Sequence, residues 1–231
     1  MNNLNRIGGL SALLFGVLKI VGIALSTIAF ASASSEVFEP TKFEAVLAFV
    51  ASFSQTELLF FTLGSNLEML AVVFLVPPLM ALYAMLRGEH STNALLAAGL
   101  GLIGIPLYML FHVQRFQLMD LGVLYGLADS AGKAGLVAVY TVGENYTLLM
   151  ERIFLMFFGA ALFLYSRALL RVSFQRWLAL FGAALGIAAI VGAIGPAIIT
   201  QLEFLPALSG LLLIGWHIWM GVVLLRKYVR P

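Results

Sequence analysis

The stretch that decides the fold runs from Glu57 to Arg87 and reads ELLFFTLGSNLEMLAVVFLVPPLMALYAMLR. It is longer than the about 20 mostly apolar residues that an α-helix needs to cross a bilayer. Glu68 lies inside the apolar run, where a carboxylate is costly to hold and therefore faces the protein interior, takes a partner or marks a site. The stretch predicts a transmembrane helix that carries one acid at depth. Pro77-Pro78 can kink this helix, but membrane bundles also tolerate proline, and we favour the second interpretation.

The composition of the whole chain agrees with this stretch. Of 231 residues, 62% are apolar and 10% are charged, and the net charge is +2. Ordinary soluble domains carry roughly 25% charged residues, so a soluble fold could not cover its surface with so few. We predict an all-α, polytopic membrane helix bundle that forms a single integral membrane domain over residues 1–231. The absence of cysteine excludes disulfides, thiolate metal sites and cysteine nucleophiles.

Six transmembrane helices follow from the hydropathy pattern, and the basic residues orient them. The spans are predicted at about residues 7–31, 58–86, 94–118, 148–169, 177–201 and 205–226. If the N-terminus is cytoplasmic, the inner side holds Arg6, Arg87, Arg167, Arg171, Arg176, Arg226, Lys227 and Arg230, and the outer side holds Lys42 and Lys133. This asymmetry predicts that both termini are cytoplasmic.

Two outer segments have patterns of their own. From Thr41 to Gln55, apolar residues recur on one helical face, namely Phe43, Val46, Leu47, Val50 and Phe53. This pattern predicts an amphipathic, interfacial helix that lies along the outer membrane surface. Residues 121–146 are interrupted by five glycines. We expect that segment to form a short surface helix or a re-entrant element that caps the outer end of the bundle.

The fifth span has a face of small residues. Gly182, Gly186, Ala189 and Ala193 recur at helical spacing. Small residues at this spacing allow helix backbones to approach closely. We therefore expect this span to lie centrally among the others.

Ionisable and polar residues from several spans are predicted to meet in the outer half of the membrane. The candidate cluster consists of Lys19, Asn66, Glu68, Tyr108, His112, Arg115, Glu151 and Arg152. Its charges nearly cancel, which is typical of an outward-opening polar pocket for a ligand. A purely structural alternative stays open, in which Glu151 clamps two helices together and the arginines extend to the interface.

No pattern for catalysis or metal binding is present with its required context. The three histidines are His90, His112 and His217, and we predict them at three different depths, so that they could not converge on one metal. A haem held by His112 and His217 would need both at one depth, and nothing further supports it. We expect no catalytic residue, metal or cofactor, and we interpret His217 as a core residue hydrogen-bonded to a neighbour.

Short signatures along the chain resemble a known group of proteins. They are NRIGGLSALLFGVLKIVGI at residues 5–23, LFLYSRALLRVSFQRWLALFGAALGIAAIVG at residues 162–192 and LIGWHIWMGVVLLRK at residues 213–227. With the stretch around Glu68, they resemble bacterial six-span proteins grouped as a domain of unknown function, family four-three-eight-six. The resemblance implies six spans in an inner membrane and no established activity.

Three functions are compatible with the sequence. The first is a non-catalytic membrane protein that binds a lipid or small amphiphile in the polar pocket, or that serves as a subunit of a membrane assembly. The second is a small proton-coupled transporter in which Glu68 titrates. The third is an intramembrane lipid-modifying enzyme with His112 as general base. The expected partners are membrane lipids and possible protein partners or a homo-oligomer, and not nucleic acid.

Overall fold

A computed structural model describes residues 2–33, 43–88, 91–172 and 175–229, and no strand occurs among them. Its α-helices are α1 Asn2–Ser32, α2 Phe43–Ala51, α3 Gln55–Val73, α4 Val76–Leu86, α5 Ser91–Leu127, α6 Ser130–Arg171, α7 Arg176–Ile194 and α8 Leu205–Val229. Two short 3-10 turns, Gly195–Ala197 and Thr200–Leu202, separate α7 from α8. The all-α prediction is confirmed.

Six segments of the described chain are long and apolar enough to cross a membrane. They are Asn3–Ser32, Gln55–Leu86, Ser91–Leu127, Ser130–Arg171, Arg176–Ala197 and Thr200–Arg226. The predicted number of spans is therefore confirmed, and each predicted span overlaps one of these segments. The protein is an integral membrane protein of six spans.

The exposed face of α1 shows how these helices use their apolar residues. Leu10, Leu14, Val17 and Val21 follow one face and are between 42% and 54% exposed. Lys19, by contrast, is 3% exposed. A soluble protein rarely exposes a contiguous apolar surface of this kind, whereas hydrocarbon is a good solvent for it.

The second span is interrupted at the Pro-Pro step. Phe74 and Leu75 form a turn, and α4 begins with Pro77 and Pro78 in its first turn. Proline lacks the N–H that would continue the hydrogen bonds of α3, so the helix is interrupted here and does not merely tolerate the prolines, which was the interpretation that we favoured. Pro106, in contrast, lies inside an uninterrupted α5, and α7 ends just before Pro196.

The glycine-rich segment of residues 121–146 is not a separate surface or re-entrant element, so that prediction was wrong. α5 continues to Leu127, and α6 begins at Ser130 after a turn of two residues. Asp129 caps α6, because its Oδ1 accepts a hydrogen bond of 2.8 Å from the Gly132 N–H. The third and fourth spans therefore extend well beyond the predicted residues 94–118 and 148–169.

The described chain divides into two compact units. The first unit comprises Met1–Lys19, Leu70–Tyr108 and Glu151–Pro231, and the second comprises Ile20–Met69 and Met109–Met150. A single domain over residues 1–231 stays a prediction.

In the first unit, α7 packs closely against its neighbours through its small residues. Gly182, Gly186, Ala189 and Ala193 are all buried. A Cβ at Gly186 would lie 2.6 Å from the carbonyl oxygen of Gly159 on α6, so the two backbones are in contact. The close approach predicted for this face is confirmed.

In the second unit, α2 buries its apolar face against protein. Val46, Leu47, Val50 and Phe53 belong to a buried core that also contains residues of α1, α3, α5 and α6. The Tyr125 hydroxyl donates a 3.1 Å hydrogen bond to Oε1 of Glu44 on α2. The apolar face was predicted correctly and packs on other helices. A position of this helix along the outer membrane surface stays a prediction. Thr41 and Lys42, at the predicted start of this helix, lie outside the described residues.

Candidate functional site

The second unit contains a cavity of about 240 Å³. Its lining residues are Ser26, Phe30, Phe61, Phe111, Arg115, Leu118, Tyr140, Glu144 and Thr147. Pockets for drug-sized ligands measure about 300–1,000 Å³. The cavity therefore has the size of a small polar head group.

Helical periodicity explains how four helices present these residues. On α5, Phe111, Arg115 and Leu118 occupy positions i, i+4 and i+7, which lie on one face of a helix. On α6 the same spacing places Tyr140, Glu144 and Thr147 on one face. Ser26 and Phe30 of α1 lie one turn apart, and Phe61 comes from α3.

One wall of the cavity is formed by an ion pair. Nη1 of Arg115 pairs with Oε1 of Glu68 on α3. The side chain of Glu68 is 3% exposed, whereas that of Arg115 is 33% exposed. Arg115 therefore neutralises a buried carboxylate on one side and lines the cavity on the other. Guanidinium suits this double role because it carries five N–H donors in a fixed plane.

A second carboxylate, Glu144, lies on the cavity wall supplied by α6. The Tyr140 hydroxyl interacts with the Glu144 carboxylate one turn away, and the charge of Arg115 also acts on Glu144. Glu68, Arg115 and Glu144 therefore belong to one electrostatic group around the cavity.

Ser26 contributes a buried hydroxyl to the cavity. It is 7% exposed, and its Oγ makes no hydrogen bond to the described protein. A buried polar atom without a hydrogen bond costs about 1–3 kcal/mol, so such atoms usually meet a water or a ligand. Ser26 therefore provides a hydrogen-bonding position for a guest.

Ser26 is held in place by a close crossing of α1 and α3. A Cβ at Gly22 would lie 2.8 Å from the Gly64 carbonyl oxygen, and a Cβ at Gly64 would lie 2.6 Å from the Gly22 carbonyl oxygen. A Cβ at Gly64 would also meet the Ser26 Oγ at 2.5 Å. The two glycines thus bring the backbones of α1 and α3 together beside the cavity.

The remaining walls are aromatic and aliphatic. Phe30 and Phe61 meet edge to face with ring centroids 5.5 Å apart. With Phe111, Leu118 and the ring of Tyr140, they surround the polar groups by apolar surface. This combination of a few placed polar groups in an apolar lining is typical of small-molecule sites.

The predicted polar cluster is divided between the two units. Asn66, Glu68, His112 and Arg115 belong to the second unit, and Lys19, Tyr108, Glu151 and Arg152 belong to the first. Arg115 lines the cavity, and Glu68 acts on it through the ion pair. His112 is fully buried with its ring 5.2 Å from that of Phe111. Asn66 is exposed and donates to the Thr62 carbonyl of its own helix, so it faces away from the cavity.

In the first unit, the structure places Lys19 and Tyr108 together. The Lys19 Nζ lies 4.7 Å from the centroid of the Tyr108 ring, and that ring stacks on Phe154 at 4.2 Å. A cation held over an aromatic face is stabilised by the ring quadrupole, and more strongly where water is excluded. Glu151 and Arg152 are half-buried on α6 and are not lining residues of the cavity.

His217 is also confirmed as a core residue of the first unit. It is 1% exposed, and its Nδ1 lies 2.8 Å from the Leu213 carbonyl oxygen. Its ring packs against Phe15, with centroids 4.6 Å apart. Within the described ranges, no group of three His, Asp or Glu side chains could hold a metal ion.

Sequence reasoning missed most of the cavity lining, including Ser26, Tyr140, Glu144 and Thr147. Tyr140 and Glu144 fell in the segment predicted to be a separate outer element. The spacing of Tyr140, Glu144 and Thr147 would have revealed their common face if that segment had been treated as helix.

Comparison with known proteins identified no relative of this chain. No protein-family model, curated protein or solved structure matches the chain. The resemblance to the six-span family therefore stays a prediction.

Proposed function

We propose that this protein is a non-catalytic integral membrane protein that binds the polar head of a lipid or other small amphiphile in the cavity of the second unit. The observation that carries the proposal is the lining itself. It combines an ion-paired Arg115, the carboxylate of Glu144 and the hydroxyl of Ser26 with three phenylalanine rings. A polar head can meet the first group of residues, and the start of a hydrocarbon chain can meet the second.

The size of the cavity indicates that it binds a head group and does not enclose a whole lipid. About 240 Å³ is less than the about 300–1,000 Å³ of pockets that hold drug-sized ligands, so the cavity is too small to enclose a head group together with two acyl chains. In a six-span membrane protein, the chains of such a ligand can remain in the surrounding bilayer.

The proposal includes a location and partners. The excess of arginine on one side of the predicted spans supports an orientation with both termini in the cytoplasm, and the resemblance to the six-span family supports a bacterial inner membrane. With this orientation the cavity belongs to the outer half of the membrane. Membrane lipids are then the immediate partners, and assembly with other copies or other subunits is compatible with the same site.

Native mass spectrometry tests the proposal after gentle extraction from the host in a polymer nanodisc. We expect the wild-type protein to retain a small molecule of reproducible mass. Thr147→Met, which extends a flexible side chain into the cavity, should remove most of it. Thr141→Met makes the same change on α6 outside the cavity lining and should leave it in place. The proposal would be refuted if the wild-type protein retained no small molecule. It would also be refuted if Thr147→Met and Thr141→Met retained the same amount.

A further inference from the structure

We propose that three exposed arginines, where α6 ends and α7 begins, hold the phosphate group of an anionic phospholipid. They are Arg167, Arg171 and Arg176, and all three belong to the first unit. The proposal does not depend on the cavity of the second unit, so each of the two proposals can fail without the other.

The packing of α6 against α7 places these arginines near one level. A Cβ at Gly182 would meet the Ser166 Oγ, and together with the backbone contact described above this shows that the two helices are antiparallel. Five residues beyond Ser166 on α6 are therefore level with five residues before Gly182 on α7. These positions are Arg171 and Trp177, and Arg176 directly precedes Trp177. Because residues four apart share a face of a helix, the third arginine lies one turn away on the same side of α6.

The charge at this end of the two helices is positive. Within the described ranges, none of the three arginines forms an ion pair. The acidic residues that the structure describes in the first unit are Glu151 and Glu203. Glu151 lies 20 residues before Arg171 on α6, which corresponds to about 30 Å of helical rise, and Glu203 follows the opposite end of α7. An anionic group is therefore the complementary ligand for the three guanidinium groups.

Apolar side chains beside the arginines suit the acyl chains of a phospholipid. Trp177 is 73% exposed, Leu170 is 40% exposed and Leu180 is 38% exposed. Leu170 directly precedes Arg171, and Leu180 lies one turn further into α7 than Arg176. Exposed tryptophan is enriched at the head-group level of membranes. A phospholipid whose phosphate contacts the arginines can therefore lay its chains along these three residues.

The residue type also favours phosphate. The planar guanidinium donates two parallel hydrogen bonds to two oxygens of one phosphate, which the ammonium of lysine cannot do. Orientation in the membrane requires only basic residues near the ends of the spans. Arginines at one level beside exposed apolar side chains meet the further requirements of a lipid head and its chains.

Fluorescence quenching of Trp177 tests the proposal on the purified full-length protein in phosphatidylcholine bilayers. A small fraction of the lipid is replaced by phosphatidylglycerol or by phosphatidylcholine that carries bromine on its acyl chains, because bromine quenches tryptophan only at short range. Trp177→Phe gives the contribution of the other tryptophans, which is subtracted. We expect brominated phosphatidylglycerol to be preferred at Trp177 by about fivefold or more, which corresponds to the about 1 kcal/mol that one basic residue contributes near a membrane.

A double variant and its matched control assign this preference to the α6–α7 arginines. Arg171→Gln combined with Arg176→Gln should make the two brominated lipids quench Trp177 almost equally. Arg6→Gln combined with Arg226→Gln removes the same charge from exposed positions on α1 and α8 and should preserve the preference. If the first double variant cannot be reconstituted, Arg171→Gln alone should still reduce the preference.

Two results would overturn the proposal. If the wild-type protein showed no preference for phosphatidylglycerol, no anionic lipid would be bound beside Trp177. If the two double variants lost the preference to the same extent, the attraction would come from the total charge of the protein and not from the α6–α7 arginines.

Discussion

Arg115 on α5 forms an ion pair with Glu68 on α3, and the two residues are 47 positions apart in the sequence. The pair is asymmetric, since Glu68 is almost fully buried and Arg115 is one-third exposed. The acid that lies at depth in the second span therefore has its positive partner at the edge of a cavity.

This asymmetry predicts unequal effects of removing either charge. Arg115→Gln removes a positive partner of a buried carboxylate and should lower the free energy of unfolding by about 3 kcal/mol, the lower end of the range for a broken buried pair, because Arg115 is partly exposed. Glu68→Gln leaves a guanidinium that can still reach solvent and should lower it by only about 1 kcal/mol. Reversible unfolding in mixed micelles, followed by circular dichroism, measures both.

The control for this comparison is Arg176→Gln, at an exposed position at the start of α7. It should change the free energy of unfolding by less than about 0.5 kcal/mol. If Arg115→Gln and Glu68→Gln lowered the free energy of unfolding equally, the difference in burial between the two side chains would have no effect on stability, and the prediction would be wrong.

The crossing of α1 and α3 predicts a strong penalty for adding one methyl group. In Gly64→Ala, the new Cβ would be placed 2.6 Å from the Gly22 carbonyl oxygen, so the helices must separate. Overpacking of this kind costs about 1–3 kcal/mol, and we expect a loss of that size in the same unfolding measurement.

Gly215→Ala is the matched control on α8, because nothing lies within 4 Å of a Cβ at that position. Alanine is the better helix former by about 1 kcal/mol, so this variant should be as stable as the wild type or more so. A Gly64→Ala protein as stable as Gly215→Ala would contradict the close crossing.

The spans could be predicted from the sequence because hydropathy and length are local properties. The apolar run around Glu68 was sufficient to predict a crossing segment, whereas the break at Pro77-Pro78 was one of two interpretations that the sequence left open. The ends of α5 and α6 could not be predicted in this way. A glycine in a sequence is compatible with a helix break and also with a close contact between helices. At Gly122 the structure shows the second, because this residue packs on Val50 inside a continuous α5.

The packing of α2 on α5 gives a third prediction. A Cβ at Gly122 would lie 2.5 Å from Val50 Cγ1, so Gly122→Ala should push α2 away from α5 and lower the free energy of unfolding by about 1–3 kcal/mol. Gly135→Ala, where a Cβ meets nothing within 4 Å, should be neutral or stabilising. If Gly122→Ala were also neutral, α2 would not be docked on the protein as described.

The candidate site was less accessible to sequence reasoning than the spans. Charge and depth singled out Glu68 and Arg115, which form an ion pair, because ionisable residues in a membrane span are rare. Ser26 and Thr147 could not be recognised in this way, because hydroxyl residues are common in transmembrane helices. Only their position in the cavity lining distinguishes them from the other serines and threonines. Asn66 was included for its polarity, but it faces away because the rotation of α3 about its axis is set by packing at Gly64.

The most direct test of the binding cavity is photocrosslinking from its wall. p-Benzoylphenylalanine introduced at Phe111 faces the cavity, whereas the same probe at Leu110, which is 44% exposed on the same helix, faces outward. After irradiation in native membranes, we expect one reproducible small-molecule adduct at position 111 and a spread of membrane lipids at position 110. No adduct at position 111, or the same spread at both positions, would contradict the account.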